Sequence, residues 1–188
     1  MKKHILERYH QDSDGRFVID ITAGKIGDLY TNFDKHAPYV KKDLDENLVN
    51  YIADAVRDLG KAEFIIQFRF MTMPDDSLLD RIRGSVYNYF LYLKEIELLE
   101  LMRNMRISLI FLIVGLAILF LSVWVNQQIT DQASVISQVF AQGLTVAAWV
   151  SLWEALATFL VNWTPYSRQI RMYDRIARAP IQFSIIGD

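Results

Sequence analysis

One carboxylate, Glu154, interrupts the otherwise uncharged run from Ala141 to Trp163. A carboxylate near the centre of a bilayer costs at least about 2.5 kcal/mol, so it must face protein or water, be protonated, or be paired. Two chemistries follow. Glu154 from several copies can form a ring that binds or conducts cations or protons. Alternatively, it is a neutral acid or interhelical hydrogen-bond partner that fixes assembly. Its neighbours fit either reading. Gly143, Ala147, Ser151, Ala155, Thr158 and Asn162 recur at helical spacing as a small, partly polar stripe bordered by Glu154. Trp149, Trp153, Leu156, Leu160 and Trp163 make a bulky face. Small residues permit close helix approach, and hydroxyls and amides bond across it, so Ser151, Thr158 and Asn162 join Glu154 as candidates for an ion path or interhelical packing. The preceding apolar run offers only Ser108, Gly115 and Ser122, seven apart, and no basic residue answers Glu154. Unless it is protonated, its partner is expected from another copy or another protein.

The second candidate set is basic. Arg168, Arg171, Arg175 and Arg178 follow the apolar run on a helical stretch whose other side carries Ile170, Tyr173, Ile176 and Ala177. Such a helix can meet anionic lipid headgroups, or its charges can simply set topology. His4, His10 and His36 have no metal-ligand spacing. Asp12–Gly15 begins like a calcium loop but lacks the closing acid, which favours a plain turn. No cysteine, phosphate-binding glycine loop, nucleophile elbow or histidine-based triad is present. No catalytic residue, metal or cofactor is therefore expected, and the chain reads as a non-enzyme. A net charge of −2 gives no case for nucleic acid.

The elements that position these residues read clearly. Ile107–Val125 is a nineteen-residue run without a charge and Ala141–Trp163 a second apolar run. At about 1.5 Å per residue each suffices to cross a hydrocarbon core of roughly 30 Å. Trp124 and Trp163 suit interfacial anchors. Arg103 and Arg106 precede the first run and four arginines follow the second, while the 126–140 link has no Lys or Arg. The positive-inside rule then puts both termini in the cytoplasm of a two-span inner-membrane hairpin.

The preceding segment predicts a small βαβ-like cytoplasmic head over 1–73. Strands are expected at Arg16–Thr22 and Phe64–Met71, and an amphipathic helix at Asp43–Leu59 with Asp43 as its cap. Two strands make a marginal sheet, so Lys25–Tyr39 must add a strand or a short helix, or copies of the head must share a sheet or pack together. From Pro74 a stripe of Leu79, Ile82, Val86, Phe90, Leu93, Ile96 and Leu99 predicts one helix running through 74–106 into the span at 107–125, roughly fifty residues or about 75 Å long. It is expected to pack on its own head or on its counterpart in another subunit. The second span covers 141–163, and Thr164-Pro165 is expected to start a separate basic helix within 164–188 that Pro180 ends. The fold class is an α+β membrane protein.

The run from Trp149 to Pro165 (WVSLWEALATFLVNWTP), followed by RMYDRIARAP from Arg171 to Pro180, resembles a group of small bacterial two-span inner-membrane proteins without an assigned activity. The head carries matching pieces: a strand with Asp20-Ile21, Leu29-Tyr30 with Asp34, Ala37–Tyr39 and Lys42–Asp45. The likeness covers about Arg16 to Phe183. It implies a stand-alone bacterial membrane protein and adds no mechanism. The resulting expectation is a homo-oligomer in contact with membrane lipids, ion-channel-like through Glu154. The alternative is an accessory or scaffold subunit whose head binds a protein partner. A sensor of lipids or small ligands, resting on the arginines alone, is a third.

Overall fold

The computed structural model describes residues 6–31, 43–128 and 135–187. It is a mixed fold, with a small parallel sheet and two long apolar helices, and divides into two compact units: residues 1–95 with 169–188, and residues 96–168.

The first unit is built on a three-stranded, all-parallel sheet of order β1-β2-β3. β1 is Phe17–Ala23, β2 Phe64–Phe70 and β3 Ile181–Ile185. Phe17 pairs with Phe64 and Ile66 with Ile181, so β2 is central, and it is apolar along most of its length. Parallel neighbours need crossovers. The first is α1, Glu46–Leu59; the second is everything between β2 and β3. One face of the sheet (Ile19, Ile66, Phe68, Phe70) packs on Val49, Ile52 and Val56 of α1. Ile82, Val86 and Phe90 from the start of the next helix, and Ile176 and Ala177 from the end of the last, complete that core. The other face is largely polar: Asp20, Thr22, Gln67, Arg69, Gln182 and Ser184 share it by strand alternation, with Arg69 bridged to Asp20 at 3.0 Å.

Two local expectations are corrected and a third is met by one of its alternatives. The third strand comes from the C-terminal segment after Pro180, not from the described part of Lys25–Tyr39, so the sheet has its third strand without a second copy. Of the strand or short helix expected from Lys25–Tyr39, the described part supplies a short 3₁₀ helix, Ile26–Leu29, followed by a bridge from Tyr30 to Leu44; residues 32–42 lie outside the described residues. The cap of α1 is Asp45, whose side chain accepts from the N–H groups of Asn47 and Leu48. Asp43 is taken up instead by extended pairing, its carbonyl accepting from Thr31 N–H.

α2 runs from Asp76 to Gln128, 53 residues without a break. Its stripe from Ile82 to Leu93 packs on its own head and Leu79 is buried, whereas Leu99 is exposed. α3 runs from Val135 to Ala177 and carries Pro165 in its interior, so the expected separate basic helix is a continuation of the second apolar run. Proline inside a helix removes one backbone bond, a loss that apolar helices tolerate where neighbours re-satisfy the carbonyl. Both helices are long and apolar enough to cross a membrane, and only 17% and 11% of their most apolar stretches are buried. The core helix of a soluble protein would be mostly covered.

Candidate functional site

In the second unit, α2 and α3 meet along a seam of small residues. Ser108, Gly115 and Ser122 of α2 are buried, as are Ala141, Ala148 and Ala155 of α3, both sets spaced by seven. A seven-residue repeat keeps one seam facing its partner along left-handed, coiled-coil-like packing. Ser108 Oγ donates to the carbonyl of Ala155 at 2.7 Å, and Ser122 Oγ lies 2.6 Å from Thr145 Oγ1. At Gly115 an added Cβ would stand 3.0 Å from Leu152 Cδ2 and 3.1 Å from its backbone nitrogen. Glycine fits without any shift, whereas a side chain would need Leu152 and its backbone to give by a few tenths of an ångström. Beside the seam an apolar groove of about 420 Å³ opens between Leu109 and Leu112 of α2 and Leu152, Leu156 and Phe159 of α3.

The seam takes Ala155 out of the stripe expected around Glu154 and leaves the rest of that stripe outside. At about 100° per residue, Gly143, Ala147, Ser151 and Thr158 centre roughly 95° to one side of the α3 seam; Trp149, Trp153, Leu156 and Leu160 centre roughly 110° to the other. Gly143, Ala147 and Glu154 are exposed, Ser151 and Thr158 half-buried. An added Cβ at Gly143 would meet nothing within 4 Å. Ser151 Oγ donates back to the carbonyl of Ala147 at 2.9 Å, which uses its one donor and leaves the oxygen able to accept. Among the described residues no side chain bonds Glu154. Asn162 lies in α3, and its side chain is outside the described ones. The structure thus brings Glu154, Ser151 and Thr158 onto one outer flank, and none of them onto the seam.

The arginines separate. Arg168 and Arg171 are exposed. Arg175 donates to the carbonyls of Gly60 and Ala62, and its guanidinium lies 5.2 Å from the centre of the Phe64 ring. Arg178 pairs with Asp174 at 3.2 Å. Asp174 also accepts from Lys94 Nζ at 2.7 Å, tying the head part of α2 to the head part of α3. The Lys94 hydrogen bond, against some desolvation, holds the Asp174 carboxyl below its usual range. Arg175 and Asp174 are therefore parts of the head's own construction, a role the spacing of the arginines did not reveal.

The Asp12–Gly15 segment is a turn closed on Arg16. Asp12 accepts from the backbone N–H of Asp14 and Arg16 and from Arg16 Nε at 2.9 Å. Among the described residues no cluster of acids and histidines could hold a metal; His4 and His36 lie outside them.

No family of known proteins, no curated protein and no solved structure matches this chain.

Proposed function

We propose that the chain is a non-enzymatic, homo-oligomeric bacterial inner-membrane protein. Its two apolar helices cross as a hairpin with both ends in the cytoplasm, and Glu154 from several copies lines a path for cations or protons. One observation carries this reading. Glu154 stands exposed on the outer flank of a hairpin whose own seam is already closed. Facing lipid, a carboxylate at that depth would cost about 2.5–3.5 kcal/mol or more, and a second copy removes the exposure. The exposure of Ile113, Phe120, Trp149, Trp153 and Val161 supports an apolar surrounding. Support for ends on one side comes from the Lys94–Asp174 bridge and the pairing of β2 with β3, which join segments flanking the two helices. The arginine count supports the cytoplasmic side. Arg168 and Arg171 remain available for anionic headgroups, while Arg175 and Arg178 have protein partners.

Reconstitution in liposomes tests conduction. Wild type is expected to pass protons or monovalent cations and Glu154→Gln to lose that flux; equal flux from the two sinks a path through this residue.

A second reading, an accessory subunit with a partner-binding head, draws on the sheet margin, where Ile185 and Ile186 are 40% and 43% exposed. Detergent-extracted protein that runs as a monomer with a stoichiometric partner would favour it, and a partner-free homo-oligomer would remove it.

A further inference from the structure

The two flanks of α3 complement one another, and they lie on opposite sides of the seam. One carries Gly143, Ala147, Ser151 and Thr158 with the Glu154 carboxyl at its border; the other carries Trp149, Trp153, Leu156 and Leu160. Small side chains leave a depression that bulky ones can fill, and close approach of this kind drives helix association in lipid. The polar groups match as well. Within the hairpin, the hydroxyls of Ser108, Ser122, Thr145 and Ser151 are already engaged. The indoles of Trp149 and Trp153 are 66% and 70% exposed, and among the described residues neither N–H has a partner. Trp153 is the residue next to Glu154, so in two copies inserted the same way round the two sit within about 1.5 Å of the same depth.

We propose that copies of this chain associate head-to-tail: the small flank of one α3 seats against the tryptophan flank of the next, and the Glu154 carboxyl accepts from the Trp153 indole N–H of that neighbour. Two different faces of one helix meeting in this way make a heterologous interface, which builds a ring or an open row and cannot close as a two-fold dimer. The site is incomplete in one copy, because donor and acceptor point about 100° apart around the helix and away from each other. This deepens the homo-oligomer reading and rests on it.

The absence of cysteine from the chain makes the test direct. Thr158→Cys and Leu156→Cys mark the two flanks about 3 Å apart in depth. Oxidation in native membranes is expected to leave each single variant uncrosslinked and to convert the double variant into a ladder of covalent multimers. Dimers from Thr158→Cys alone would place small flank on small flank and overturn the head-to-tail contact while the homo-oligomer stands. No cross-link in any variant, with monomeric protein by analytical ultracentrifugation, would overturn both. In the double-cysteine background, Trp153→Phe keeps the ring and removes the N–H. It is expected to lower the cross-linked fraction roughly three- to tenfold, as loss of one interhelical hydrogen bond does. Glu154→Ala should lower it similarly, and combining the two should add little further. An undiminished ladder from Trp153→Phe overturns the Glu154–Trp153 pairing.

Discussion

Gly115 and Gly143 look alike in sequence, both glycines in apolar helices, yet they stand in opposite surroundings. At Gly115 an added Cβ already stands 3.0–3.1 Å from Leu152 and its backbone, so the much larger side chain of Gly115→Leu is expected to pry the seam open and cost about 1–3 kcal/mol or more. Thermal unfolding in detergent, read by tryptophan fluorescence, measures it. Gly143→Ala meets nothing within its own chain. The monomer should tolerate it, while cross-linking between flanks should fall if that flank receives a neighbour. Gly84, in the head part of α2, is a third case: with open space around it, Gly84→Ala should stabilise the helix by about 0.5–1 kcal/mol. Asp174 supplies a pH signature. Its carboxyl is lowered by the Lys94 hydrogen bond, so the stabilisation is fully present above the unfolded value near 3.9 and disappears as pH falls through the lower folded value. Below about pH 4, Asp174→Asn should therefore lose less of its starting stability than wild type, as urea titrations at several pH values would reveal.

At the scale of elements, β1, β2 and α1 were legible because their signals are local. Phe17, Ile19 and Ile21 alternate, as do Phe64, Ile66, Phe68 and Phe70, and α1 repeats its apolar residues every three or four positions. β3 was not legible. Five residues after a proline carry little pattern, and the sheet partner lies far off in sequence: Gln67 Nε2 donates to Ser184 Oγ across 117 residues. The seam was half legible: its α2 side (Ser108, Gly115 and Ser122, seven apart) is visible in the sequence and its α3 side is not, for a different reason. Its α3 side is made of Ala141, Ala148 and Ala155, which hydropathy does not separate from the surrounding apolar residues; only the shared spacing of seven could have identified it. Glu154 was the reverse case, visible by type and depth, with its outward placement fixed only once the seam was known. The core at β2 gives the elements a measurable weight. Phe68 is fully buried between its strand neighbours and the helices, so Phe68→Ala should cost about 3–5 kcal/mol in chemical denaturation.

At the scale of the whole molecule, the order of segments matters more than any one contact. The strands that frame the sheet are interrupted by both long helices: β1 and β2 come before α2, and β3 only after α3. With two strands the sheet is marginal, so removing Ile181 onward should leave the head open to protease at sites protected in the intact chain. Limited proteolysis followed by mass spectrometry would locate those cuts, and a head equally resistant without β3 would refute the dependence.

That interleaving has a consequence for biosynthesis. Residues 1–95 leave the ribosome with a groove along β2 that nothing yet occupies; the segment that fills it is translated only after both apolar helices. If the helices cross the membrane as proposed, a chain whose second helix fails to insert carries β3 to the wrong compartment, and its head never closes. Maturation of the cytoplasmic part thereby becomes a readout of correct threading, and a cell could clear misinserted chains simply by degrading heads that stay open. A pulse-labelled chain should gain protease resistance in its N-terminal hundred residues only after α3 has been integrated; resistance acquired earlier would break that link.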